Sequence, residues 1–400
     1  MKLSHARIAC MLLLTISYTT IESIEKSTRA STLRKMHLDH PVRVLLQEKP
    51  SGEILWTFSS SHGFFLYNPH TKMVQRIHDK ELLVTRIPGA FIANGKRYPY
   101  DQLFLIPNKG LISFESIPYE GTCALHDHEG RASLVNHIGL EDYLAAVLPY
   151  ESIPSWPDEV QKALCIACRT YAVYKIQSER NDSLPYDLKN TVLDQVYRGQ
   201  ARKTSLKKIV DETKGIIITH EGKPILAMYS AVCGSIIPAE KKSSIYTKAP
   251  YLKRPYACTH CKDQPLYSWK TTYTLKELEG PLQKVFYGLG QLKEIHIKSY
   301  DHAGIAQQLV LTGSKKTVLM CAHDFRMLFL KIRSLCCTFS TKNGILIAQG
   351  RGHGHHIGLC QWGAYTMANL GNSYQEILEF YYPETSLAAY ESLGAVTHIR

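Results

Sequence analysis

One carboxylate, one glycine- and histidine-rich loop and one group of cysteines carry most of the chemistry open to this sequence. Glu151 lies in LEDYLAAVLPYESIPSWPDEVQKALCIACRTYAVY, residues 140–174, on a short Pro-punctuated connector between two helical patterns. A lone acid on a connector too short to move far suits general acid/base work; a solvated loop glutamate is the alternative. The second group lies in GRGHGHHIGLCQWGAYTMANLGNSYQEILEFYYP, residues 350–383. Gly350, Gly352, Gly354 and Gly358 allow a backbone to approach a ligand closely. With Arg351 and the histidines, the loop suits a polar, hydroxyl-rich substrate. His353, His355 and His356 are alternatively metal ligands, although their spacing matches no standard ligand pattern. A purely structural turn is the third reading. The third group is Cys233, Cys258, His260 and Cys261. Three sulfurs and one imidazole satisfy a tetrahedral zinc; disulfides and free buried thiols are the alternatives. Cys165 and Cys168, one helical turn apart, read as small buried residues rather than a redox pair.

The elements that position these groups follow from spacing. Leu140, Leu144, Val147 and Leu148 recur at helical steps, and Pro149, which lacks a backbone donor, is predicted to end that helix. Val160, Leu164, Ala167, Tyr171 and Tyr174 form the stripe of a second helix. Its start is predicted at Ser155, with Asp158 completing a capping box. Short β-like runs fill the chain from Val42 to Ile138, at 42–46, 54–58, 82–87, 102–106 and 110–114. More follow at 215–219, 224–229, 295–300 and 308–312, with helical patterns at 275–289 and 323–332. A helix is predicted over 361–370 with Gly371 as its stop. A last helix is capped by Ser373 and Glu376 and ended by Pro383. The pattern is that of an α+β protein, β-rich in its N-terminal half, with helices flanking a substrate groove.

The 400 residues are 44% hydrophobic and 20% charged, an ordinary globular balance that excludes a disordered tail. A net charge of +12 and a pI near 9.0 favour an anionic partner: nucleic acid, acidic lipid or a wall polymer. The basic residues are scattered, and no zinc finger, basic-region helix or RNA-binding aromatic signature is present, which argues against nucleic acid. Lys2 and Arg7 precede an apolar run from Ile8 to Ile16, the pattern of a secretory leader. No clean cleavage site follows, so a signal anchor is the alternative to a cleaved peptide. Either exports the chain to the periplasm or another extracytoplasmic space, with membrane contact only through this segment. The expected organisation is leader or anchor at 1–24, linker at 25–40, β-rich part at 41–138, catalytic part at 139–385 and tail at 386–400.

At its two sharpest segments the chain resembles the SpoIID/LytB family, the peptidoglycan-acting sporulation protein D and its amidase-enhancer relatives. The family pattern near its acid is roughly E-D-Y-L-x-G-V-V-x-x-E-M-P-x-S-W-P, then A-R-T-Y. Glu141, Asp142, Tyr143 and Leu144 match, as do Ser155, Trp156, Pro157, Arg169, Thr170 and Tyr171. Glu151 falls on the family's catalytic glutamate. In the second block, roughly G-R-G-W-G-H-G-V-G-M-S-Q-W-G-A, the matches are Arg351, Gly352, Gly354, His355, Gly358, Gln361, Trp362, Gly363 and Ala364. Residues 194–197, Asp-Gln-Val-Tyr, resemble a third family segment, and YSAVCGS at 229–235 a fourth. Ser152 replaces the methionine after the glutamate and Tyr150 a small residue before it. Sporulation members carry a Cys and His cluster before Gln-Val-Tyr that can hold zinc; here Val192-Leu193-Asp194 stands there.

The resemblance spans about residues 42–385. It implies a peptidoglycan lytic transglycosylase acting between N-acetylmuramic acid and N-acetylglucosamine, giving 1,6-anhydro ends in cell division, sporulation or wall turnover. Glu151 would be the single catalytic residue. Arg169, Tyr171, Arg351, Gly352, Gly354, His355, Gln361 and Trp362 would bind substrate. No cofactor is required, with a structural zinc at Cys233, Cys258, His260 and Cys261 as the exception. The implied partners are denuded glycan strands and an amidase that strips them first. The rival function is a non-catalytic, glycan-binding activator of an N-acetylmuramoyl-L-alanine amidase.

Overall fold

The computed structural model describes residues 41–50, 52–178, 183–200 and 206–390. The segments expected to be a leader or anchor (1–24) and a linker (25–40), and the last ten residues of the expected tail, lie outside the described residues. The chain is α+β and strand-rich. It divides into two units: one ends at Glu151 and resumes over Lys175–Thr204, and the other comprises Ser152–Tyr174 and the chain from Ser205 onward.

In the first unit, alternation of apolar and polar residues builds two sheets. Ile54, Trp56 and Phe58 are buried on one face of the Ile54–Ser59 strand while Leu55 is exposed, as expected for a sheet with one wet face. That strand sits in a six-stranded sheet with Glu81–Ile87 and Ile112–Phe114. A seven-stranded sheet is ordered Leu188–Lys189, Val42–Pro50, Arg131–Ile138, Thr122–His128, Gln102–Pro107, Phe64–Asn68 and Met73–Ile77. Leu188–Lys189 joins it as a parallel edge beside Val44 and Leu45. Arg86 clamps Asp127 bidentately, tying one sheet to the other. Helix α1 (Leu140–Glu151) completes the unit, burying Tyr143, Leu144, Ala146, Val147 and Leu148.

Pro149 does not end α1. It occupies the last turn, where its missing N–H removes one hydrogen bond and interrupts nothing beyond it. Glu151 is therefore the final residue of a helix, not part of a loop. Helix α2 (Asp158–Ser178) begins three residues after the predicted Ser155. The Gln161 N–H donates to Pro157 O, so the helix opens at Pro157, and exposed Ser155 belongs to the preceding turn.

Among the described residues the second unit holds most of α2 and four small sheets. One of its apolar clusters gathers Trp269, Leu278, Leu282, Ile295, Leu309, Phe325 and Leu346. Each such side chain, fully buried, contributes about 1.5–3 kcal/mol. The predicted run 224–229 is not one strand. It ends at Pro224, and a separate strand, Tyr229–Ser230, pairs in parallel with Leu359–Cys360. Helix α3 (Gln361–Asn369) follows, with Gly371 in the left-handed conformation (φ +92°) close behind. Helix α4 (Tyr374–Tyr381) carries the predicted Ser373–Glu376 capping box. Ser386–Ala389 pairs with Ile216–Thr219, so the first residues of the expected tail belong to the fold. No helix among the described residues is long and apolar enough to cross a membrane.

Candidate functional site

Glu151 is held from the Asp-Gln-Val-Tyr segment. Gln195 and Tyr197 are pegs, both buried, on alternate residues. The Gln195 amide oxygen accepts from Tyr143 Oη at 3.0 Å. The Tyr197 ring lies 5.4 Å from that of Tyr143, and its hydroxyl donates to Asn136 Oδ1 at 2.7 Å. Burial pushes the Tyr197 phenol well above its ordinary pKa of 10.0, so it stays protonated. With its neighbours fixed on either side, Val196 aims its N–H at Glu151 and donates to Oε1 at 2.6 Å. Arg198, two residues on, places its guanidinium 5.5 Å from the ring centre of Tyr150, beside the acid in sequence. Arg198 had no signal in the sequence beyond its charge.

In the second unit, the connector at residues 152–157 is fixed by Gln161, a buried residue that spacing did not single out. Its amide Nε2 donates to Ile153 O and its Oε1 accepts from Ser152 Oγ, both at 2.7 Å. The Trp156 N–H closes a turn onto Ile153 O. Trp156 then meets Trp362 at 5.1 Å and Tyr365 at 5.2 Å between ring centres, and the latter two lie 5.5 Å apart. All three rings are half-buried. This cluster brings the residues just after Glu151 together with the Gln-Trp-Gly-Ala block, and Tyr365 joins a set the sequence did not assign it to.

Several predicted substrate residues have other occupations. Arg169 is fully buried. Its guanidinium donates to Ile216 O, Val210 O and Thr213 Oγ1 at 3.2–3.3 Å, with Cys165 Sγ at 3.6 Å. Its position binds α2 to the interior of the unit, contrary to a role at the sugar. His355 uses both ring nitrogens on the backbone: Nε2–H donates to Tyr229 O at 2.8 Å and Nδ1 accepts the Ile357 N–H at 3.1 Å. Burial lowers its pKa to about 4, so it is neutral. His355 is thus a fastener of the loop rather than a sugar-binding donor. His356, also buried, has φ +68° and bonds Cys233 O through Nδ1 at 2.9 Å.

The glycines serve chain-to-chain approach. A Cβ on Gly358 would strike Met228 O, one on Gly354 would reach within 2.7 Å of Ser230, and one on Gly352 within 2.9 Å of Val232 O. Arg351 is exposed and lines an open groove of about 780 Å³ with Trp269, Tyr300 and Cys336. Gln361 and Tyr171 are half-buried.

The metal candidate changes composition. Among the described residues the ligand atoms that gather are Cys233, Cys258, Cys261 and Cys360, all buried and within 4.8 Å of one another. His260 is not in the group; its ring packs 5.5 Å from that of Phe380. His353, His355 and His356 form no such group either. None of the ten described cysteines is in a disulfide. Mutual hydrogen bonding splits the four thiols: Cys258 and Cys261 are pushed down, with Cys233 the first cause for each.

The family model described as Stage II sporulation protein matches residues 128–220, which contain Glu151 and the Asp-Gln-Val-Tyr segment. An uncharacterised protein of Brachyspira hyodysenteriae is 33% identical over 287 residues, covering 70% of this chain and 75% of its own. Stage II sporulation protein D of Bacillus subtilis is 28% identical over 269 residues, 64% of this chain and 76% of that protein. The amidase enhancer of Bacillus subtilis is 26% identical over 298 residues, 62% of this chain and 40% of that protein. With the acid block, the Gln-Val-Tyr support and the Gln-Trp-Gly-Ala helix all in place, the chain belongs to the SpoIID/LytB family.

Proposed function

We propose that this protein cleaves peptidoglycan glycan strands as a lytic transglycosylase, with Glu151 as its single general acid/base. Family membership supports a role related to the cell wall. The observation that carries the finer reading is the 2.6 Å hydrogen bond from the Val196 N–H to Glu151 Oε1, with Val196 braced by buried Gln195 and Tyr197. A surface glutamate has no need of such a mount; a proton-transfer group does.

The chemistry needs one carboxyl group. Protonated Glu151 gives its proton to the glycosidic oxygen as that oxygen leaves C1 of N-acetylmuramic acid. The C6 hydroxyl of the same sugar attacks C1, and anionic Glu151 takes the hydroxyl proton. No water is consumed and a 1,6-anhydro ring results. The mount suits both halves. The C-terminal end of a helix presents carbonyl oxygens, which disfavour an added negative charge by about 0.3–1 kcal/mol. The Val196 N–H then supports the anion once the proton has gone. Within the second unit, Trp156, Trp362 and Tyr365 offer faces on which sugar rings stack and Arg351 offers donors to polar groups; within the first, Arg198 offers donors of its own. Gln361 and Tyr171 are further candidates for that strand, and the net charge of +12 suits an anionic wall polymer. This setting is extracytoplasmic, with an amidase acting first to strip the peptide stems.

A second reading has its own support in the relative named amidase enhancer: the same surfaces grip glycan and activate a partner amidase without cutting. Mass spectrometry of purified, amidase-treated glycan after incubation with the pure protein separates the two. Accumulation of 1,6-anhydro-muramoyl ends supports cleavage; unchanged strands together with a stimulated amidase support the enhancer.

A further inference from the structure

We propose that Cys233, Cys258, Cys261 and Cys360 bind one zinc ion as a tetrahedral four-thiolate site that staples the chain around the start of α3. Four sulfurs arrive from three separate places: the turn after the Tyr229–Ser230 strand, a Cys-x-x-Cys turn, and the N-cap of α3. A zinc bound at about 2.3 Å to four sulfurs sets them about 3.8 Å apart. The Cys233 and Cys261 sulfurs stand 3.6 Å apart, and no two of the four exceed 4.8 Å. Sulfurs this close surround one ion and leave no room for a multi-iron cluster.

The surroundings fit a thiolate site. Cys360 Sγ accepts the backbone N–H of Cys233 and of Gly363, each at 3.3 Å, bonds that favour a negatively charged sulfur. Tyr381 Oη lies 3.2 Å from Cys258 Sγ. Arg254, only 1% exposed, has its guanidinium among the rings of Tyr256, Phe380 and Tyr381 at 4.9–5.3 Å, and none of its side-chain nitrogens has a hydrogen-bond partner among the described residues. A buried charge of this kind is costly alone. Tyr381 touches both the Arg254 guanidinium and Cys258 Sγ, and four thiolates around Zn²⁺ would bring to this ring two net negative charges, opposite in sign to Arg254. Binding releases the thiol protons to solvent and changes no oxidation state. Because Trp362 and Tyr365 lie on α3, the ion also steadies two of the three clustered aromatic rings.

This proposal is independent of the transglycosylase reading. The full chain, purified without chelator, is analysed for metal by mass spectrometry beside Cys360→Ser, Cys233→Ser and His260→Ala. The expected result is one zinc per wild-type chain, loss of most of it in both cysteine variants, and full retention in His260→Ala. Cobalt(II) exchanged into the wild type gives the intense visible bands of a tetrahedral four-sulfur site, a readout that stands if the cysteine variants fail to fold. Disulfides among these four residues in non-reducing peptide mapping would overturn the proposal. So would iron in place of zinc, zinc retained by folded Cys360→Ser, or zinc lost from His260→Ala.

Discussion

Replacing Arg169 by methionine tests whether this motif arginine serves substrate or fold. Methionine keeps much of the aliphatic stem and removes the guanidinium. The arginine is fully buried and donates to Ile216 O, Val210 O and Thr213 Oγ1. Its loss takes a charged donor from the Ile216 and Val210 carbonyls and from the Thr213 hydroxyl, which keeps its own bond to Ile209 O at 2.8 Å. Each hydrogen bond to a charged donor is worth about 1.5–3 kcal/mol, and neighbours recover part of the loss. A net destabilisation of about 3–5 kcal/mol follows from the charged donors lost, a large share of the ~5–15 kcal/mol of a typical domain. The expected fall in Tm is on the order of 10 °C. Urea and thermal unfolding measure it, with glycan binding assayed on the folded fraction. Wild-type stability combined with weakened glycan binding would refute the reasoning and return Arg169 to the substrate.

Three further outcomes follow from particular contacts. Burial of the His126 ring, with the Arg43 charge adding to it against Asp101, lowers its pKa from 6.5 to about 4. The unfolded chain therefore binds a proton in that window that the folded chain refuses. Urea stability should fall as pH drops from about 6.5 to 4, and His126→Leu should flatten the dependence; an identical slope in the variant counts against this. In Gly363→Ala the new methyl group meets Tyr381 Oη and comes within 2.8 Å of Cys258 Sγ. A destabilisation of about 1–3 kcal/mol is expected in thermal melts, and unchanged Tm would contradict the packing described. Trp156→Ala removes one ring of the aromatic cluster and should weaken glycan binding roughly three- to tenfold, from the ~0.5–1.5 kcal/mol of an aromatic contact. Titration with denuded strands checks it; unaltered affinity would remove Trp156 from the glycan surface.

Local features were legible in the sequence and long-range ones were not. Leu140, Leu144, Val147 and Leu148 predicted α1 because burial of one helical face follows from spacing. The Ser373–Glu376 capping box was readable for the same reason: its partners are three residues apart. Pro149 misled because the rule against proline applies to helix interiors, and two residues remained to the helix end. Ser155 had the right neighbour in Asp158, yet Pro157 started the helix. Arg169 and His355 were given to substrate by motif; whether a polar side chain spends its donors inside or outside depends on backbone carbonyls distant in sequence, Ile216 and Tyr229. Cys360 was passed over for His260 because 99 residues separate it from Cys261, and proximity in sequence favoured the histidine. Glu151 is marked by its place beside the proline-punctuated connector and by the family resemblance; the peptide N–H that holds it, from Val196, has no side-chain signature.

Glu151→Gln keeps the size and shape of the acid while removing its ability to donate and recover a proton. Product analysis of amidase-treated glycan by mass spectrometry, beside a melt confirming that the variant is folded, measures the consequence. The account predicts loss of 1,6-anhydro ends by a factor of about 10²–10⁴ with Tm nearly unchanged. Anhydro products formed by the folded variant at the wild-type rate would contradict it.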